Sequence, residues 1–405
     1  MPTEPTPAVE RAAAAARSAG EAGASSRGRL ALIGSRGIPA RYGGYETFLE
    51  RLTPHLVEAG FEVTVYCRSH YTRPDERSHL GGHLRRLPTV RSKYLDTPIH
   101  TLLSCCDALR RRFDAALVVN GINAPFVPLL RLVGTRTALH VDGIESQRAK
   151  WGLIGRLAYR LCERLAPRVA SRLVTDAAVI ERHYLERYGA GSTMIPYGST
   201  LEPPPPGEPT LQRLGLRRRG YFLYVSRFEP ENNPHRVVAA YRSSGCRTPL
   251  VMVGDAPYAD DFIRSFRRGD DPRVLFPGAI YGEGYRALQH GALAYVHATE
   301  VGGTHPALVE AMGAANCVLV NDTPENREVA GDAGLYFRAG DPESLRQLLE
   351  RIESDPAAAE DLGRRAARRA EAAYSWTAVA RLYVELFDQL VAARGGTRAA
   401  ATKVP

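Results

Sequence analysis

YVHATEVGGTHPALVEAMGAANCVLVN, residues 295–321, reads as strand, glycine turn, helix and strand. Tyr295–Ala298 is a short apolar strand, and Gly302 and Gly303 make a tight turn. Thr304 takes the N-cap position and Pro306 the first helical turn, where a missing N–H costs nothing. Ala307, Leu308, Ala311, Met312 and Ala315 recur at helical spacing, and Cys317–Val320 is a second apolar strand. A helix that opens on glycines aims free N–H groups and a partial positive charge at whatever lies in front, which suits a phosphate. Glu310 lies one and a half turns in, near the same mouth, where a carboxylate suits ribose hydroxyls. The plainer reading is an ordinary strand–helix–strand turn with a surface glutamate, and spacing alone does not separate the two.

Working outward, the same alternation fills the chain. RLALIG at residues 29–34 is a strand running into SRGIPARYGGYETF, a loop with Gly34, Gly37, Gly43 and Gly44. A helix over 45–59 follows, bent at Pro54, then strands over 61–67, 115–119, 137–140, 173–175 and 193–195. The longest helical stretch of this half runs from Gln147 to about Ala170. Pro203–Pro206 favour extended polyproline II and mark a linker. The pattern restarts with strands over 221–225, 249–254 and 273–276 and helices over 234–242 and 284–290. It ends with a strand over 335–337 and helices over 341–353, 357–373 and 377–393. Strands alternating with helices predict parallel, doubly wound sheets. The expected organisation is α/β: two Rossmann-like domains facing a cleft, with ligands at the carboxyl ends of the strands. The expected boundaries are a disordered tail over 1–28, a first domain over 29–199 and a Pro-rich linker over 200–215. A second domain follows over 216–374, then a helix over 375–394 that packs back on the first, and a tail over 395–405.

The 405 residues carry 44% hydrophobic and 24% charged side chains, as a globular protein does, and no apolar run reaches the ~18 residues of a spanning helix. Six cysteines without C-x-x-C spacing predict a reduced, cytoplasmic protein without a zinc site. The net charge of +9 is uneven: residues 29–199 hold 25 Arg/Lys against 15 Asp/Glu, and residues 200–405 hold 25 against 26. The excess in the first half points to an anionic membrane, an anionic substrate or nucleic acid. No helix-turn-helix or aromatic-basic motif supports nucleic acid.

GSRGIPARYGGYETFLERL, SRFEPENNP and HATEVGGTHPALVEAM together resemble the GT-B-fold, nucleotide-sugar-dependent retaining glycosyltransferases of the E-x7-E family. The resemblance covers about residues 29–390 and is closest to a subgroup that includes bacterial rhamnosyltransferases of surface-polysaccharide assembly. It implies that Gly43 and Gly44 form the glycine loop beside the donor diphosphate and sugar. It implies that His140 approaches the transferred sugar and that Arg227 binds phosphate. Asn232 stands where the family usually has a lysine. Glu310 matches the second glutamate of the motif, which holds the ribose; Gly302 stands at the first, with Glu300 two residues out of register. The N–H groups of Gly303, Thr304 and His305 are then expected to do more. Asp142, two residues beyond His140, would share its face and is the candidate to accept the attacking hydroxyl's proton. Asp142 and Glu145 alternatively bond the acceptor or cap the next helix. Glu46 is either a site carboxylate or a dipole partner of its helix. No D-x-D motif marks a metal site, and the nucleotide sugar is a substrate, so no metal and no cofactor are expected.

Arg156, Arg160, Arg164, Arg168 and Arg172 recur every four residues among Trp151, Leu153, Ile154, Leu157, Leu161 and Leu165, with Pro167 expected to bend or end the helix. Such a stripe can lie on an anionic membrane from the cytoplasmic side, through Arg156, Arg160 and Arg164; the plainer reading is a solvated basic face over an apolar face in the core. The expected function is transfer of L-rhamnose from its dTDP donor to a lipid-linked or glycan acceptor. The alternatives are a UDP- or GDP-hexose donor, and a nucleotide-sugar epimerase on the same scaffold.

Overall fold

The computed structural model describes residues 26–401 apart from 41–42, 93–94, 148–151, 200–208, 257–258 and 270. The strands of the first half are β1 (Gly28–Ile33), β2 (Phe61–Arg68), β3 (Ser78–His79), β4 (Gly82–Leu87), β5 (Ala115–Val119), β6 (Arg136–Val141), β7 (Arg172–Thr175) and β8 (Thr193–Met194). They form one sheet in the order β3-β4-β2-β1-β5-β6-β7-β8, parallel except for the β3–β4 pair. The second sheet is wholly parallel: β11 (Val274–Gly278), β10 (Leu250–Val253), β9 (Phe222–Val225), β12 (Ala294–His297), β13 (Cys317–Asn321) and β14 (Gly334–Phe337), in that order. Strand runs such as AALVV and LVMV are buried along their whole length, as strands covered on both faces must be.

Each sheet reverses its winding once, between β1 and β5 and between β9 and β12. The loops beyond those strands open a crevice there, which is where such sheets take ligands. In the second half these are the segments carrying Arg227, after β9, and Gly302–His305, after β12.

Several expectations need correction. Part of the expected 200–215 linker is helical, Pro209–Arg213, because Leu211 is buried with Leu216, Tyr221 and Leu288 in the second-half core; residues 1–25, 200–208 and 402–405 lie outside the described residues, and the helix expected to end at 394 continues over 395–401 of the second expected tail. The basic helix, expected to bend or end at Pro167, runs Leu153–Val169 and ends two residues beyond it. β3 and β4 and the helices Asp96–Arg111, Ala178–Tyr188, Asp260–Arg267 and Pro324–Ala330 were not singled out by the sequence pattern. The last helix, Trp376–Ala401, packs Val379, Tyr383, Leu386, Phe387 and Leu390 into the core of the first half. Arg394 fixes its far end, donating to the Asp114 carboxylate at 2.8 Å and to the Phe113 carbonyl.

Candidate active site

The turn after β12 meets the first half directly. The Gly303 N–H donates to the Asp142 carbonyl at 3.1 Å, and the Thr304 N–H to Asp176 Oδ2 at 2.9 Å. The Thr304 hydroxyl donates to the Asp176 carbonyl. Thr304 is therefore not the helix cap: His305 holds that position before Pro306–Gly313, without a side-chain cap bond. The Gly303 and Thr304 amides, expected to face a diphosphate, are spent on the first half in this arrangement. Contact this close requires glycine. A Cβ on Gly303 would sit 2.1 Å from Asp176 Oδ1, and one on Gly143 3.2 Å from the Gly302 Cα. A second tether lies beside it, where the Glu328 carboxylate accepts from the Ala178 N–H at 2.7 Å and the Val179 N–H at 3.2 Å. These amides open the helix Ala178–Tyr188, so a carboxylate there also meets the positive end of its dipole.

Asp142 and Asp176 follow β6 and β7, adjacent parallel strands, and so stand side by side. Asp176 is buried, its Oδ1 meets no donor, and burial followed by the Asp142 charge raises its carboxyl well above the ordinary value. The Tyr197 hydroxyl donates to Asp142 Oδ2 at 3.4 Å. Burial and then Asp142 likewise raise the Tyr45 and Tyr197 hydroxyls. Sequence reasoning found Asp142 and missed Asp176, although the signal was the same: an acid directly beyond an apolar strand.

His140 was expected to share the cleft with Asp142, and it does not. Its ring is wholly buried among Tyr45, Phe48, Tyr197 and Tyr383, at centroid distances of 5.9, 5.2, 5.6 and 6.4 Å. Neither ring nitrogen has a hydrogen-bond partner, and burial lowers its pKa to about 3. A neutral imidazole in an aromatic cage supports the strand end from behind. Glu46 is likewise inward, buried and accepting from the Arg36 N–H at 2.7 Å, so it ties the glycine loop to the helix Gly44–Glu58. Gly43 caps that helix, and Gly44 faces Pro306 with room for a Cβ at 3.6 Å. The amino ends of one helix from each half thus meet at the crevice. Glu145 lies in the short turn Glu145–Gln147 on the first-half side.

In the second half, Arg227 is partly exposed and pairs with Glu229 at 3.5 Å. Asn232 does not replace the family's lysine. Its buried amide donates back to the Arg227 carbonyl at 2.7 Å and braces that loop. Glu300 accepts from Asn233 Nδ2 at 2.9 Å and lies 3.8 Å from Arg236. Glu310 is held by the Tyr285 hydroxyl at 2.6 Å, itself bonded by Gln289. Burial raises the Glu310 carboxyl, while Tyr285 and then Arg51 of the first half favour its charged form. His305 packs its ring against His297, 4.8 Å between centroids.

Arg156, Arg160 and Arg164 lie on the exposed side of Leu153–Val169. Among the described residues no helix is long and apolar enough to cross a membrane, and no cluster of three or more His, Cys, Asp or Glu side chains could hold a metal ion.

Comparison with known proteins matches each half separately. Residues 43–198 match the glycosyl transferase 4-like domain, and residues 212–369 match glycosyl transferases group 1. The chain is 27% identical over 176 residues to O-antigen chain mannosyltransferase B of Escherichia coli, a stretch covering 40% of this chain and 45% of that relative. Among solved structures, sucrose-phosphate synthase from Thermosynechococcus elongatus superposes with a TM-score of 0.76 at 22% identity, over 90% of this chain and 99% of that one. Anabaena HepE, solved with UDP-glucose, gives 0.72 at 14% identity, over 89% and 100%. At such identities these likenesses establish the fold: two Rossmann-like domains in the GT-B arrangement.

Proposed function

We propose that this chain, whose first half matches the glycosyl transferase 4-like domain and whose second half matches glycosyl transferases group 1, moves a sugar from a nucleotide donor to a glycan or lipid-linked acceptor in cell-surface polysaccharide synthesis. One observation carries the reading. At the winding reversal of the second sheet, Arg227 follows β9, and the helix Pro306–Gly313 with its Tyr285-held Glu310 follows β12, after a turn whose Gly303 N–H bonds Asp142 of the first half. The guanidinium and the helix end supply fixed positive potential for a leaving diphosphate, and Glu310 supplies acceptors for ribose hydroxyls. Asp142 takes the proton of the attacking hydroxyl. Burial disfavours the charged form of Glu310, and the Tyr285 bond opposes that.

The donor we favour is dTDP-L-rhamnose, on the resemblance of the glycine-loop and SRFEPENNP segments. Transfer with retention and without a metal follows from the same resemblance. The mannosyltransferase relative favours a mannosyl donor as the second reading. The acceptor's lipid would lie in an anionic membrane reached from the cytoplasmic side. A panel of nucleotide sugars offered with a lipid-linked acceptor tests the donor; a clear preference for a UDP- or GDP-hexose overturns rhamnose. Release of a free, altered sugar nucleotide without acceptor would instead make the protein an epimerase. Arg227→Ala should weaken nucleoside diphosphate binding by roughly 1.5–3 kcal/mol in calorimetry, and unchanged affinity in the folded variant removes Arg227 from the site.

A further inference from the structure

The helix Leu153–Val169 shows an arrangement that a merely solvated basic helix does not have. Its inner face buries Tyr159, Cys162, Ala166 and Val169, and turns its one acid, Glu163, inward to Ser146 at 3.2 Å. The apolar side chains of its outer face have no cover. Leu153 and Ile154 are each 86% exposed, Leu157 67% and Leu161 66%, far beyond the scattered exposure usual on a surface. Arg156, Arg160, Arg164 and Arg168 are exposed among them. At about 100° per residue, these eight side chains fall within an arc of roughly 160° on one side of the helix. Four leucine-type side chains and four guanidiniums therefore share a single face.

That combination selects its partner. Water alone would leave the apolar chains unfavourably exposed, and an apolar protein groove would strand four charges. An anionic lipid surface satisfies both, with guanidiniums at phosphate level and the apolar chains beneath it. The position of the helix fits an enzyme that meets its acceptor there. Its first turn follows β6, Asp142 and the Glu145–Gln147 turn, so Leu153 and Ile154 stand on the carboxyl-end side of the first sheet, the same side as Asp142.

We propose that this face inserts into an anionic bilayer through Leu153, Ile154, Leu157 and Leu161, with the arginines holding it at the headgroups. The proposal rests on the reading of a membrane-borne acceptor only for its purpose; the binding itself is independent of sugar transfer. Two components of attachment follow, one screened by salt and one not.

The test is flotation of the full chain with phosphatidylglycerol/phosphatidylcholine vesicles and with phosphatidylcholine alone, at low and high salt. The wild type should float with the anionic vesicles and keep a fraction bound at high salt. Arg156→Glu, Arg160→Glu and Arg164→Glu together should lower partitioning onto anionic vesicles by at least ~100-fold, near five-fold per lost cation. Leu153→Ser, Ile154→Ser, Leu157→Ser and Leu161→Ser together should remove the salt-resistant fraction and leave only the screened one. Calorimetry with a nucleoside diphosphate should be unchanged in both variants, which separates failure of this proposal from failure of the donor site and shows that they fold. A wild type that stays in solution with anionic vesicles at low salt overturns the proposal, as does complete release of the wild type at high salt. A wild-type dimer that the serine variant dissolves, without vesicle binding, also overturns it and makes a second copy the occupant.

Discussion

Asp176 joins the two halves through Thr304, and its replacement tests that joining. Asp176→Ala leaves the buried Thr304 N–H without its 2.9 Å acceptor. An unsatisfied buried donor costs about 1–3 kcal/mol, which lowers the joined-to-separated ratio by roughly 5–150-fold. Asp176→Asn keeps an acceptor and removes the charge, so the two variants separate geometry from electrostatics. The sign with pH follows from the raised carboxyl of the joined state. Burial, then Asp142, disfavours its ionised form, with Glu328 adding to the repulsion; the tyrosines facing it, Tyr45, Tyr197 and Tyr383, stay neutral because burial raises them too. Joining therefore takes up a proton. The stabilisation is fully present below the ordinary value of 3.8 and is lost as pH rises from there through the raised value, by about 1.4 kcal/mol per unit. The radius of gyration from X-ray scattering reads the effect. It should grow with pH in the wild type, be large throughout in Asp176→Ala, and stay small and flat in Asp176→Asn. Gly303→Ala should mimic Asp176→Ala, because its Cβ would meet the Asp176 carboxylate at 2.1 Å. Identical scattering from wild type and Asp176→Ala refutes the tether, and a pH dependence that persists in Asp176→Asn refutes its assignment to this carboxyl.

Glu328→Gln should also loosen the halves, by about 1 kcal/mol, because a neutral amide replaces the carboxylate on Ala178 and Val179 at a helix amino end; an unchanged scattering profile counts against it. His140 and His297 are lowered to about 3 and His100 to about 4, all chiefly by burial, so below about 6.5 the unfolded chain binds more protons than the folded one. Stability should fall with pH from 6.5 towards 4, by up to ~1.4 kcal/mol per unit for each histidine. Urea midpoints across that range measure it, and His140→Phe should shallow the slope; equal slopes in wild type and variant would mean His140 is accessible. Tyr285→Phe removes the 2.6 Å donor of Glu310, so its carboxyl should rise further and nucleotide binding weaken as pH falls; calorimetry at two pH values decides it, with equal affinities as the adverse result.

How far the sequence reached follows from how far apart the partners lie along the chain. The 295–321 segment was legible because a few neighbouring residues determine each part: buried runs make β12 and β13, and Pro306 with the following apolar spacing makes the helix between them. Strand β4, GHLRRL, between β3 and β2, was not legible, because a half-buried, basic strand offers neither an apolar run nor clear alternation. The site divided along the same line. Asp142 and Arg227 follow strand ends, and Glu310 sits within the helix after β12, all places that local pattern locates. The bonds that decide which groups are free span 128 residues, from Thr304 to Asp176, and 150, from Ala178 to Glu328. No local pattern says that the turn amides are already taken. His140 was misread for the same reason, since Tyr383 of the last helix helps to close its cage. The basic helix makes the point in reverse. Local pattern alone would put its leucines in the core, yet Tyr159, Cys162, Ala166 and Val169 fill the row against the first half. The inner row is set by what the turn Gly121–Phe126 can accept, to which Cys162 donates its thiol at the Ile122 carbonyl. The leucines are exposed because that row is occupied, and an apolar row left over on a basic helix is the physical reason to look for a surface that is both apolar and anionic.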